Sequence, residues 1–118
     1  MRSFQKLEVW NKAHLLVLAI YKDVLPILPI EEKYALREQM RRAAYSIPLN
    51  IAEGCGRSGE KDFARFLDIA LGSAQELEYI FLLVRDLEYL PISLYMALNK
   101  QINEVKAMLI SFIKTLRK

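Results

Sequence analysis

An all-α fold, an antiparallel up-down-up-down four-helix bundle, is what this sequence predicts, and three observations predict it. Apolar residues recur at helical spacing from one end to the other. No segment alternates with period two for long enough to make a strand. Prolines and glycines divide the pattern at Pro26/Pro29, at Gly54–Gly59 and at Pro91. With 118 residues the chain has room for one domain, spanning 1–118. The helices are expected over about 5–26, 31–56, 60–89 and 91–117.

The first helix carries a stripe of Leu7, Trp10, His14, Val17, Tyr21 and Val24 and stops at the prolines. The second opens on Glu31 and Glu32, acids suited to the positive end of a helix dipole, and continues through Leu36, Met40, Ala43, Ile47 and Ile51. Pro48 lies inside that stripe, which keeps its phase across the proline, so a kinked continuation is expected there. The third follows Ser58, an expected N-cap, with Phe63, Phe66, Ala70, Ser73, Leu77, Phe81 and Val84 on one face. Ala70, Gly72, Ser73 and Ala74 are small enough to let a neighbouring helix approach closely. The fourth has Pro91 in its first turn, a heptad-like run from Leu94 through Leu98, Ile102, Val105, Leu109, Phe112 and Leu116, and cations at its end.

Composition limits what such a fold could do. Hydrophobic residues make up 53%, above the roughly 45–50% usual for a soluble domain, which hints that surface is covered by other subunits. No apolar run approaches the ~18 residues of a membrane span, and the start of the chain lacks the pattern of a secretory leader. The single cysteine, Cys55, excludes an intrachain disulfide and suits a reducing, cytoplasmic setting. Net charge is +3 but segregated. Residues 33–65 hold seven basic and four acidic side chains, 66–90 one and five, and 91–118 five and one. Repeated in an oligomer, such blocks add up to a field; alone, they are solvated helix faces.

"GCGRSG" at 54–59 matches G-x-G-x-x-G. A dinucleotide loop needs a strand before it and an acid on a second strand, and neither is present. The glycines are therefore read as left-handed turn positions forming a hinge between helices, with Cys55 exposed in the turn. A polar row, Gln39, Arg42, Ser46, Asn50, Glu53 and Arg57, runs beside the second apolar stripe. It is either an ordinary exposed face or a partly buried seam with Ser73 and Glu76 as partners. Glu53 and Arg57 stand four apart, as an ion pair would.

Catalytic chemistry is scarce. His14 is the only histidine and sits among apolar residues. One His and one Cys cannot build a zinc site, so no metal, no cofactor and no enzymatic activity are expected. What remains is basic: Arg37, Arg41 and Arg42 on the second helix, then Arg57, Lys61 and Arg65 around the loop. These are candidate phosphate contacts for RNA or DNA, with Tyr34 and Tyr45 available for stacking. Alternatively Arg41 is held locally by Glu38 or Tyr45 and the patch binds nothing. A competing reading is a scaffold that docks a nucleic-acid-processing protein without binding nucleic acid itself; an exposed apolar or acidic patch on residues 76–90 would favour it.

The segments "FQKLEVWNKAHLL", "LREQMRRAAYSIPLNIAEGCGR" and "FARFLDIALGSAQELEY" resemble the proteins encoded by intervening sequences in bacterial 23S ribosomal RNA genes, the S23-like family. The pattern falls on Ser46, Pro48, Asn50, Ile51, Ala52, Glu53, Gly54 and Arg57, then on Phe63, Phe66, Ala70, Ser73 and Glu76. The resemblance spans nearly the whole chain. It implies a four-helix bundle assembling as a ring-shaped homopentamer, with no catalytic residues to carry over. "Ribosomal protein", a name attached to this family, reflects where the gene lies. At the level of fold and assembly the chain is also similar to the accessory protein of diversity-generating retroelements, a basic pentamer that binds nucleic acid and a reverse transcriptase.

Overall fold

Residues 2–118 are described by a computed structural model in which four α-helices enclose a core of aliphatic and aromatic side chains. The helices are α1 (Glu8–Ala19), α2 (Leu36–Cys55), α3 (Glu60–Asp86) and α4 (Ile92–Leu116), and no strand occurs among the described residues. α2 packs on α3, α3 on α4, and α1 on both α2 and α4, closing the circuit around Leu16, Ile20, Met40, Ile47, Leu67, Leu77, Phe81, Leu98 and Leu109. Burying so many Leu, Ile and Phe side chains, each contributing roughly 1.5–3 kcal/mol, is what holds the helices together.

α1 turns a different face inward from the expected one. Val9, Ala13, Leu16 and Ile20 are buried, while Trp10, His14 and Val17 are half-buried and Tyr21 is exposed. Two adjacent stripes of this helix are apolar, and the smaller Ala13 admits the neighbouring helices where His14 would not. The helix then widens into a π-helical turn, Ile20–Val24, followed by a 3-10 turn at Leu25–Ile27 containing Pro26. The wider turn keeps Ile20, Val24 and Leu25 all in the core.

The second helix starts at Leu36 rather than at 31. Glu31 and Glu32 belong to a separate 3-10 turn, Ile30–Glu32, after the extended Pro29. Ala35 breaks the helical path with φ −124° and ψ −102°. The Leu36 N–H reaches back to Glu32 Oε1 at 3.5 Å. α2 then passes through the buried Pro48 without ending, although that residue has no N–H for the Ala44 carbonyl.

The glycine loop is not built from left-handed positions. No glycine among the described residues has positive φ: Gly54 lies inside α2, Gly56 is helical at φ −81°, and Gly59 is extended at φ −121°. Gly54 serves close packing instead, beneath Phe63 and Phe66 of α3. Gly59, not Ser58, occupies the N-cap of α3, and no side chain caps it. Cys55 is buried rather than exposed, and its carbonyl accepts a hydrogen bond from the Arg2 N–H at 3.0 Å, tying the start of the chain to the loop.

α3 ends three residues earlier than expected. Glu88 adopts φ 60°, Tyr89 N–H donates to the Val84 carbonyl at 2.9 Å and Glu88 N–H to the Arg85 carbonyl at 2.9 Å. This double closure is a Schellman motif with glutamate where glycine is usual. Pro91 then stands at the N-cap of α4, outside its first turn. Of the small residues in α3, Ala70 and Ala74 are buried in the core, while Gly72 faces open space.

Candidate nucleic-acid interface

Helical spacing brings the polar row of α2 alongside α3, and the two helices meet there through hydrogen bonds. Gln39 Nε2 donates to Glu76 Oε2 at 2.6 Å, and the hydroxyls of Ser46 and Ser73 lie 2.8 Å apart. Asn50 Nδ2 donates to the Ser46 carbonyl at 2.8 Å and to its Oγ at 3.0 Å. Ser46, Asn50 and Ser73 are half-buried; Gln39, Arg42, Glu53, Arg57 and Glu76 are exposed. The row is therefore a seam in its middle and a solvated face at its ends. Above it opens a cleft of about 320 Å³ whose walls include Gln39, Arg42, Tyr45, Ser46, Leu49, Ser73 and Glu76.

The six candidate phosphate contacts form two groups. Arg37, Arg41 and Arg42 lie on the first turns of α2, and Arg57, Lys61 and Arg65 at the connection to α3. At the helical rise, Arg42 and Arg57 are separated by roughly 22 Å along the axis. Arg41 is engaged: its guanidinium is bound by Glu38, with Nε to Oε2 at 3.1 Å, and stands 5.6 Å from the centre of the Tyr45 ring. The Glu38 hydrogen bond, with the Tyr21 side chain second, raises the Arg41 pKa above its ordinary value. At the other end Arg65 and Arg57 share Asp62, at 2.9 and 3.7 Å, and both cover the Phe66 ring, at 4.6 and 4.7 Å. Arg57 thus turns to Asp62 rather than to Glu53. Arg37, Arg42 and Lys61 hold no ion pair among the described residues.

Tertiary structure adds cations that spacing could not place. Arg2 pairs with Glu60 at 3.3 Å and lies over Phe63 and Phe112 at 4.9 and 5.6 Å. Arg117 binds Asp68, which raises its pKa, and joins Lys61, Asp62 and Arg65 around a cleft of about 540 Å³. Both come from chain ends remote in sequence from the loop, so only their charge was visible beforehand. The acids of 66–90 are mostly engaged one by one: Asp68 by Arg117, Glu76 by Gln39, Glu78 by Lys106 and Asp86 by Arg85.

The groups with catalytic potential are not assembled. His14 stacks on Trp10, ring centres 4.8 Å apart and planes within 10°. Burial pushes the Cys55 thiol pKa up, which opposes a reactive thiolate. Among the described residues no group of three or more His, Cys, Asp or Glu could hold a metal ion, and no helix is long and apolar enough to cross a membrane.

The fold and the site define a four-helix all-α protein whose distinctive surface is a hydrogen-bonded α2–α3 seam between two groups of cations. The family model for the 23S rRNA-intervening sequence protein matches residues 5–111, and the chain belongs to that family. It is also similar to a crystal structure, at 1.70 Å resolution, of a protein of unknown function from the S23 ribosomal protein family of Bacteroides thetaiotaomicron VPI-5482. The two share 32% identity with a TM-score of 0.83, over 90% of this chain and 98% of that one. A comparison with curated proteins finds no match.

Proposed function

We propose that this protein is a non-enzymatic, cytoplasmic homo-oligomer, an up-down-up-down bundle assembled as a ring of five, that binds RNA or DNA through phosphate contacts. The observation that carries the reading is that three of the six candidate contacts, Arg37 and Arg42 on α2 and Lys61 on α3, have no acidic partner among the described residues. Arginine and lysine left free in this way neutralise phosphates without breaking an ion pair first. Arg41, Arg57 and Arg65 would have to exchange an internal carboxylate for a phosphate, so they contribute less. The opposite order of the pairs Gln39–Glu76 and Ser46–Ser73 along α2 and α3 supports the up-down arrangement.

The test is fluorescence anisotropy of a labelled RNA hairpin and a DNA duplex over a salt series, with light scattering to report assembly. Sub-micromolar binding that weakens steeply with salt is expected. Combined Arg37→Glu, Arg42→Glu and Lys61→Glu replacement should lower the log–log salt slope by about 2–3, since each phosphate no longer neutralised removes roughly 0.9. Unchanged binding with the assembly intact overturns the reading, and a monomer at micromolar concentration removes the ring.

A second reading, a scaffold that docks a nucleic-acid-processing protein, is favoured by one observation. Tyr79, Leu87, Ile92 and Met96 expose large apolar surface on α3, its C-terminal turn and α4. Absence of nucleic-acid binding even at low salt, with Tyr79→Ser and Met96→Ser abolishing capture of a partner, would establish it.

A further inference from the structure

We infer that the cleft over the α2–α3 seam, walled by Arg42, Tyr45 and Leu49 of α2 and by Ser73 and Glu76 of α3, is a pocket for a single unstacked nucleobase, one that bears an exocyclic amine; the inference rests on the nucleic-acid reading above and assigns its specificity. The cleft of about 320 Å³ falls within the roughly 300–1,000 Å³ of small-ligand sites, large enough for a base and too small for a duplex. Its walls are of two kinds. Tyr45 and Leu49, both partly exposed, offer an aromatic ring and an aliphatic surface to the face of a base. Ser46, Ser73, Gln39 and Glu76 offer hydrogen-bonding groups to its edge.

Charge dictates the orientation. The Glu76 carboxylate on α3 repels a phosphate, and Arg42 on α2, without an ion pair among the described residues, attracts one, so the nucleotide enters base first with its phosphate at Arg42. Glu76 Oε2 accepts from Gln39, and no hydrogen bond occupies Oε1 among the described residues. A carboxylate oxygen can only accept, so it pairs with the amine of cytosine, adenine or guanine. Uracil presents two carbonyls flanking its single N–H, and these face the carboxylate unfavourably. Bases in a duplex are stacked and keep their faces from Tyr45 and Leu49, so single strands are selected.

Labelled oligocytidylate, oligoadenylate and oligouridylate, each about ten nucleotides long, would be titrated against the full chain at fixed low salt. Cytidylate and adenylate should bind roughly five- to hundredfold more tightly than uridylate, the discrimination of one good base contact. Glu76→Gln, at an exposed position, should abolish that preference without weakening uridylate binding. Tyr45→Ala should weaken cytidylate and adenylate binding by a comparable factor while leaving the salt slope unchanged. Equal affinity for the three oligomers, a preference for uridylate, or a preference that survives Glu76→Gln overturns the pocket and leaves the phosphate-binding reading standing. No binding of any oligomer, hairpin or duplex at low salt overturns that reading and the pocket with it.

Discussion

Gly54 lies directly beneath Phe63. A Cβ at position 54 would stand 2.7 Å from Phe63 Cδ1 and 3.0 Å from Phe66 Cβ, closer than such atoms pack. Phe63 cannot withdraw easily, because it is buried and set edge-on to Phe112 with ring centres 5.3 Å apart. The glycine in "NIAEGCGR" is thus a contact between α2 and α3. Gly54→Ala should destabilise the fold by about 1–3 kcal/mol through overpacking. Gly72 is the internal control: it is helical with open space where a Cβ would go, and Gly72→Ala should stabilise by about 0.5–1 kcal/mol. Thermal unfolding of the pair checks the sign of each; equal shifts would contradict the contact.

Glu88 closes α3 in a conformation glycine adopts without strain. Glu88→Gly is expected to raise stability by about 0.5–1 kcal/mol, despite the greater freedom of glycine in the unfolded chain. Urea denaturation would show a higher midpoint with an unchanged slope. A lower midpoint would mean that the glutamate side chain contributes more than its backbone costs.

Ser46 and Ser73 should show coupling. Either single change to alanine leaves a half-buried hydroxyl short of a partner and should cost about 1 kcal/mol. The double change should cost less than the two summed, by roughly 0.5 kcal/mol or more. Strict additivity in a double-mutant cycle would show that the seam is solvated.

Glu78 and Lys106 join α3 to α4 at 2.6 Å, with both side chains mostly shielded from solvent. The Lys106 hydrogen bond holds the Glu78 carboxyl below its ordinary pKa of 4.5. A lowered folded-state value means that the stabilisation is complete above the ordinary pKa and lost as pH falls through the folded one. Lys106→Gln should therefore cost about 0.5–1 kcal/mol at neutral pH. That difference should shrink as pH falls through the lowered Glu78 pKa, when stability is followed by circular dichroism across an acid series. A difference that persists in acid would assign the loss to packing.

The all-α class was legible because apolar residues at helical spacing can be buried only as helices, and the stripes of α2, α3 and α4 largely coincide with the buried residues. The polar row was legible for the same reason: residues three and four apart share a side. Tertiary structure decided the rest. In α1 two neighbouring stripes are both apolar, so periodicity cannot say which turns inward; contact with the other helices selects Val9, Ala13, Leu16 and Ile20. The glycines advertised a turn, yet what matters at Gly54 is the distance to a ring nine residues away. Six cations announced a basic surface, but Arg41, Arg57 and Arg65 turn to Glu38 and Asp62, leaving Arg37, Arg42 and Lys61 free. Spacing along one helix is set by the backbone repeat and is written in the sequence. Which charges neutralise one another, and which small residue another helix covers, depend on separations across the fold of a few ångströms that no periodicity encodes.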